Sequence, residues 1–121
     1  MLKRWLLLRL VRALSLNAEP ATSRRYGPFG NVFLRPMYFA GAGSVIQGHT
    51  HNYDHMTLIA RGSVLAEFEW EGQKIERVYA ADPHVVEICV KKNVRHKFTA
   101  LTDDVVATCV YALRDDPGAY S

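Results

Sequence analysis

The chain has 121 residues, of which 49% are apolar and 22% are charged, and this is the size and composition of one globular domain. Its two cysteines, Cys89 and Cys109, exclude a disulfide framework and a zinc site made of four thiolates. The net charge of +3 is divided unevenly, because residues 1–25 carry six basic and one acidic side chain, whereas residues 26–121 carry nine basic and eleven acidic ones. Nucleic-acid binding needs a basic stripe on the folded part of a protein, so we expect no nucleic-acid partner.

The first 25 residues are predicted to be a basic N-terminal extension of the domain. The longest apolar run before Ala18 is Trp5–Leu8, which Arg9 ends. This run is too short for a membrane span, which needs about 20 residues, and for the apolar part of a signal peptide, which needs about 7–15. We therefore expect no stable membrane insertion and a cytoplasmic protein whose cysteines stay reduced. The extension is expected to pack on the domain or on a partner subunit.

From Tyr26 onward, short apolar or alternating runs are separated by turn residues. About one strand per 10 residues predicts an all-β sandwich or barrel, which we assign to residues 26–121 as one domain. Tight turns are expected where Gly, Asn or Asp stand, at Glu71-Gly72, Lys92-Asn93 and Asp103-Asp104. The predicted strands are Val32–Phe39, Val45–His51, His55–Ala60, Ser63–Trp70, Lys74–Ala80, Val85–Val90, His96–Leu101 and Val105–Leu113.

Three of the five histidines, His49, His51 and His55, lie within seven residues of one another. Side chains at positions i and i+2 of a strand point to the same face, so the imidazoles of His49 and His51 are close enough to share one metal ion. On a straight strand His55 would lie about 13 Å away. Asn52-Tyr53-Asp54 is a turn-forming sequence, and we expect a turn there to bring His55 back beside the pair.

The spacing around these histidines resembles the first motif of the cupin superfamily. That motif is a Gly, five residues, His-x-His, three or four residues, a Glu, six residues and a Gly. Five residues separate Gly43 from His49, and six separate His55 from Gly62. His55 therefore occupies the position of the Glu.

The second cupin motif, Pro-x-Gly, two residues, His, three residues and Asn, is degenerate here. Its histidine is kept as His96, whereas Lys91, Asn93 and Ala100 replace the Pro, the Gly and the Asn. Asparagine in place of glycine is a mild change, because asparagine tolerates the left-handed backbone conformation.

The resemblance covers about residues 30–113 and implies a jelly-roll β-barrel, the double-stranded β-helix. It implies that His49, His51 and His96 bind one divalent transition metal ion per chain (Fe, Zn, Ni, Mn or Cu). His55 is then either a fourth ligand or a residue beside a three-histidine site. Many cupins are dimers, and a homodimer would also bury the apolar residues of the extension, Trp5, Leu6, Leu7 and Leu8.

Strand parity gives weaker expectations about the barrel interior. Thr57 shares parity with His55, and Phe98 with His96, so both are expected in a substrate pocket. Tyr53 is expected either to cover the site or to be exposed. Arg35 is of a type that pairs with a substrate carboxylate, but we expect it on the surface. The expected core residues include Phe68, Trp70, Cys89 and Cys109.

The resemblance to three-histidine cupin oxygenases makes a mononuclear non-haem dioxygenase acting on a small organic molecule the leading interpretation. A redox-neutral isomerase, lyase or hydrolase that uses the metal as a Lewis acid is one alternative. A non-catalytic module that binds a small ligand or a metal is another, and a metal that only stiffens the barrel is a third. The sequence does not identify catalytic residues.

Overall fold

The computed structural model describes residues 20–112, so residues 1–19 of the extension and residues 113–121 lie outside the described residues. Within residues 20–112 all regular structure is β-strand, and no helix there is long and apolar enough to cross a membrane. The strands are β1 Thr22–Ser23, β2 Tyr26–Phe29, β3 Val32–Tyr38, β4 Val45–His49, β5 His55–Trp70, β6 Gln73–Ala81, β7 Val86–Val90, β8 Arg95–Ala100 and β9 Val106–Ala112.

These strands form two antiparallel sheets that share β5. The first half of β5 pairs with β7 and β9, and β9 pairs in turn with β3. The second half of β5 pairs with β6 and β8, and β8 pairs with β4. Because one strand belongs to both sheets, their inner faces enclose a common interior. The jelly-roll barrel predicted from the sequence is confirmed.

The main difference from the predicted strands lies in β5. The sequence predicted two strands, His55–Ala60 and Ser63–Trp70, whereas β5 is continuous through Gly62, which has a φ of 82°. A Cβ atom on Gly62 would lie 2.6 Å from Thr102 Oγ1 and 3.0 Å from the Cα of Val105. The register with β9 also shifts between Ile59 and Arg61. A glycine and a register shift let the strand bend from one sheet into the other without a loop.

Two further strands lie near the N-terminus. β2 was not predicted, because glycines and a proline interrupt its sequence, and it pairs with β3. In β1, Thr22 pairs with Tyr38, and the preceding residue, Ala21, donates its N–H to the carbonyl of Val45 at 2.9 Å. The last residues of the predicted extension therefore take part in the sheet.

The core lies between the two sheets, and two residues predicted to belong to it are exposed. Trp70 is 55% exposed, because it lies at the tip of the β5–β6 hairpin, next to the Glu71-Gly72 turn. Cys89 is exposed because its neighbours Ile88 and Val90 take the inward-facing positions of β7. The buried core residues are Met37, Ile59, Val64, Ala66, Ile88, Val90, Phe98, Ala100, Val105 and Ala107.

Candidate metal centre

Four histidines converge at one end of the barrel. His49 ends β4 and lies directly opposite His96 of β8, with ring centroids 4.3 Å apart. His51 follows in the loop after β4, and its ring centroid lies 4.6 Å from that of His49. The loop also brings in His55, at the start of β5. Its ring centroid lies 5.1 Å from that of His51 and 5.1 Å from that of His96.

Three of these side chains form the tightest group. One ring nitrogen from each of His49, His51 and His96 lies within 4.8 Å of the other two. Imidazole nitrogens bind an ion such as Zn²⁺ at about 2.0–2.1 Å, so two ligands of one ion are at most about 4 Å apart. A small movement of the rings would bring the three nitrogens close enough to bind one ion. His55 contacts the group but is not part of it.

Hydrogen bonds fix the ring orientation of two of the three histidines. The Nδ1 of His49 lies 2.8 Å from the carbonyl oxygen of Gln47, and the Nδ1 of His96 lies 3.0 Å from that of Val94. A carbonyl only accepts, so each Nδ1 carries the proton and each Nε2 keeps a free lone pair. Metal-binding histidines are commonly held in this way by a bond from the second ring nitrogen.

Several ring nitrogens of the cluster are buried without a hydrogen bond. They are Nδ1 of His51, both ring nitrogens of His55, and Nε2 of His96. A buried polar atom without a partner costs about 1–3 kcal/mol, so such atoms are rare in folded proteins. A bound cation would take up the lone pair of one nitrogen in each ring, and the residues present therefore fit a metal ion.

The charge state of the cluster also suits a metal. Burial is the main cause that lowers the pKa of His51 to about 4, and repulsion from His49 and His96 adds to it. Burial likewise lowers the pKa of His96 to about 4 and that of His55 to about 3. These three imidazoles are therefore neutral at pH 7, which is the form that coordinates metals.

The loop that carries His51 is held by the turn between β7 and β8. The N–H of Asn93 donates to the carbonyl of His51 at 2.7 Å, and the N–H of Lys92 donates to Asp54 Oδ1 at 2.8 Å. Asn93 has a φ of 64°, the left-handed conformation expected at the glycine position of the motif. The sequence indicated only a turn at Asn52-Tyr53-Asp54, and the hydrogen bond of Asp54 to a distant turn could not be read from the local pattern.

A small cavity lies in front of the histidines. Its volume is about 40 Å³, which is room for roughly three water molecules. In the described part of the chain, no aspartate or glutamate lines it. The lining residues are Ser23, Arg35, Met37, Ile46, His49, His51, Tyr53, His55, Cys109 and Tyr111.

The three predicted pocket residues have different positions. Tyr53 is buried and lines the cavity, with its ring stacked 4.9 Å from His51 and 5.3 Å from Tyr111. Thr57 is fully buried, and its hydroxyl lies 3.3 Å from Cys109 Sγ. Phe98 belongs to the core, and its ring centroid lies 5.7 Å from that of His96. Thr57 and Phe98 thus contact residues of the site without lining the cavity.

Arg35 was predicted on the surface, and this prediction was wrong. The residue is half-buried and lines the cavity. It shares the inward face of β3 with Phe33 and Met37, which are both buried. The alternation of these apolar residues around Arg35 was the sequence signal for its direction. Cys109, which was predicted in the core, lines the same cavity, and burial raises the pKa of its thiol.

Comparison with known proteins gives a likeness of fold. No protein-family model matches the chain, and no curated protein matches it. Among solved structures, KdgF from Halomonas sp. matches with a TM-score of 0.56 and 17% identity, over 79% of this chain and 81% of that one. An RmlC-like cupin family protein from Methanocaldococcus jannaschii, with a double-stranded β-helix fold, matches with a TM-score of 0.58 and 14% identity, over 79% and 83%.

An oxalate oxidase structure also matches, with a TM-score of 0.60 and 11% identity, over 79% of this chain and 52% of that one. These likenesses support the resemblance to the cupin superfamily that the two motifs indicated. The chain has the cupin fold, and a cluster of three histidines able to bind a metal lies at one end of its barrel.

Proposed function

We propose that this chain is a metal-dependent cupin enzyme of the non-haem dioxygenase type that acts on a small organic molecule. The observation that carries the proposal is the convergence of His49, His51 and His96 with buried nitrogens that lack hydrogen bonds. The structural neighbours include an enzyme, oxalate oxidase. At 11% identity this likeness supports a shared fold, and the reaction is our own inference.

One divalent transition metal ion per chain would be held by Nε2 of His49, Nε2 of His96 and a ring nitrogen of His51. Neutral imidazoles suit Fe, Zn, Cu and Ni. We include His55 as a fourth ligand, because both of its ring nitrogens are buried without a hydrogen bond. A bound ion would supply Lewis-acid activation or, if it is redox-active, the reactivity towards dioxygen that the side chains lack.

The surrounding side chains would orient the ligands and keep water out. Tyr53 stacks on the ring of His51 and, with Phe33 and Tyr111, forms a buried aromatic cluster beside the cavity. The hydrogen bond from Asn93 fixes the backbone of His51. These contacts limit ring rotation, which keeps a ligand set ready for the ion.

The test is metal analysis of untagged protein purified without chelators, together with dioxygen uptake by the Fe(II)-loaded protein. The uptake assay would use small diketones, thiols, phenols and carboxylic acids. We expect about one metal ion per chain and uptake that depends on substrate. Stoichiometric zinc or nickel without any uptake would contradict the dioxygenase type and favour redox-neutral chemistry.

A second candidate is a non-catalytic module that binds a metal or a small ligand. The cavity of about 40 Å³ favours the metal as the bound species, because most pockets for organic ligands have about 300–1,000 Å³. Stable metal binding without turnover of any tested compound would support this candidate. A metal that only stiffens the barrel would instead raise the melting temperature and leave no exchangeable coordination position.

We also propose that the protein acts as a homodimer in the cytoplasm. Exposed apolar side chains support an interface on the outer face of the β3–β9 pair, where Tyr38 is 50% and Val106 is 46% exposed and the two lie opposite each other. Phe29, on the neighbouring β2, is 69% exposed. A monomeric mass by light scattering at micromolar concentration would contradict the dimer.

A further inference from the structure

Arg35 has an unusual position for an arginine inside a small cavity. It lines the same cavity as His49, His51 and His55, and among residues 20–112 no carboxylate lines that cavity. Within residues 20–112, no hydrogen bond or ion pair joins the side chain of Arg35 to another residue. A half-buried guanidinium normally pairs with a carboxylate, a phosphate or backbone carbonyls.

The guanidinium of Arg35 places a positive charge in the cavity that the histidines line. A divalent ion held by the histidines would add a second positive centre to this cavity, which no acidic residue among the described ones lines. An anion between these two centres would be attracted by both.

We infer that the cavity binds a small organic carboxylate, with Arg35 as the residue that anchors the carboxylate group. The inference rests on the proposed function, because the rest of the anion would face the metal. Guanidinium and carboxylate match in shape and form two parallel hydrogen bonds. The cavity of about 40 Å³ is small, so we expect a short-chain acid.

Arg35 would also determine specificity. A neutral amide of the same shape forms weaker hydrogen bonds with the guanidinium than a carboxylate does. Hydrogen bonds to charged groups contribute about 1.5–3 kcal/mol, so carboxylates should bind at least about tenfold more tightly than their amides. Lysine at this position would keep the charge but lose the second hydrogen bond.

The test is isothermal titration calorimetry of the zinc-loaded protein with acetate, pyruvate and lactate, and with the neutral amides of acetate and lactate. The variants are Arg35→Met and Arg35→Lys, and the control is Arg77→Met, because Arg77 is an exposed arginine on β6. Arg35→Met should weaken carboxylate binding about tenfold or more and weaken amide binding by a smaller factor. The carboxylate affinity of Arg35→Lys should lie between those of Arg35→Met and the wild type.

Equal carboxylate affinity in Arg35→Met and the wild type would overturn the inference, as would equal weakening in Arg77→Met. Melting temperatures and zinc stoichiometry, measured on every sample, separate this failure from misfolding and from failure of the metal site. The same titrations on the metal-free protein, followed by tyrosine fluorescence, test Arg35 without the ion. Carboxylate binding there that depends on Arg35, in a chain that binds no zinc, would keep the anion site and contradict the proposed function.

Discussion

The two ends of the barrel differ in how their polar groups are satisfied. At the end near Gly62, the N–H of Ser63 donates to Thr102 Oγ1 at 3.1 Å, and the N–H of Ala42 donates to Asp103 Oδ1 at 2.8 Å. At the opposite end, ring nitrogens of His51, His55 and His96 are buried without hydrogen bonds. The first end therefore stabilises the fold, whereas the second keeps destabilising polar atoms ready for a ligand.

The largest expected effect on stability lies at the first end, in Gly62→Ala. The substitution forces an alanine to a φ of 82°, at a cost of about 1–3 kcal/mol, and brings its Cβ to 2.6 Å from Thr102 Oγ1. Overpacking adds about 1–3 kcal/mol. Urea unfolding would measure the loss in the free energy of unfolding.

Gly72→Ala is the matched control for that substitution. Gly72 has a φ of 76° but no atom within 4 Å of a Cβ built on it. The Gly72→Ala variant should therefore lose only the part of the free energy of unfolding that backbone strain removes. Equal losses in the two variants would show that the close approach at Gly62 does not matter.

The second effect is the pH dependence of the metal-free protein. The folded-state pKa values of His51, His55 and His96 are about 4, 3 and 4, below the ordinary value of 6.5. As the pH falls from about 6.5 to 4, the unfolded chain binds protons that the folded chain does not, so stability decreases. Urea unfolding at several pH values between 4 and 8 measures this slope, and a stability independent of pH in this window would contradict the buried neutral histidines.

The third effect concerns His55→Leu, which removes two buried nitrogens without removing a hydrogen bond. We expect the metal-free variant to be as stable as the wild type, or more stable by about 1–2 kcal/mol, with a shallower pH slope. If His55 is a ligand, zinc affinity should fall about tenfold or more. Unchanged zinc affinity would exclude His55 from the coordination of the metal.

Much of the structure at the two ends of the barrel could be predicted from the sequence, because it depends on the local spacing of residues. The strands, the histidine cluster and the left-handed conformation at Asn93 all follow from short patterns. The continuity of β5 could not be predicted, because Ala60-Arg61-Gly62 has the composition of a turn and only packing against Thr102 and Val105 shows that Gly62 is a bend. The inward direction of Arg35 was missed because an arginine was expected at the surface. Its position on the same face of the strand as Phe33 and Met37 was given less weight.

The smallest expected effect concerns the loop that holds His51. Asp54→Ala removes the acceptor for the N–H of Lys92 and the carboxylate that Lys91 approaches at 4.0 Å. We expect a loss of about 0.5–1.5 kcal/mol in stability and a modest decrease in zinc affinity. Asp54→Asn keeps an acceptor oxygen and is the control, so a loss as large as that of Asp54→Ala would show that the charge matters more than the hydrogen bond.

The most direct test of the metal site is a zinc titration of the metal-free wild type and of His96→Leu in the presence of a competing chelator. His96 is the histidine that joins β8 to the loop histidines, and its Nε2 is buried without a hydrogen bond. We expect about one ion per chain for the wild type and an affinity lower by about 100-fold in the variant, which keeps its β-sheet circular dichroism. No zinc binding by the wild type, or equal affinity in the two proteins, would contradict it.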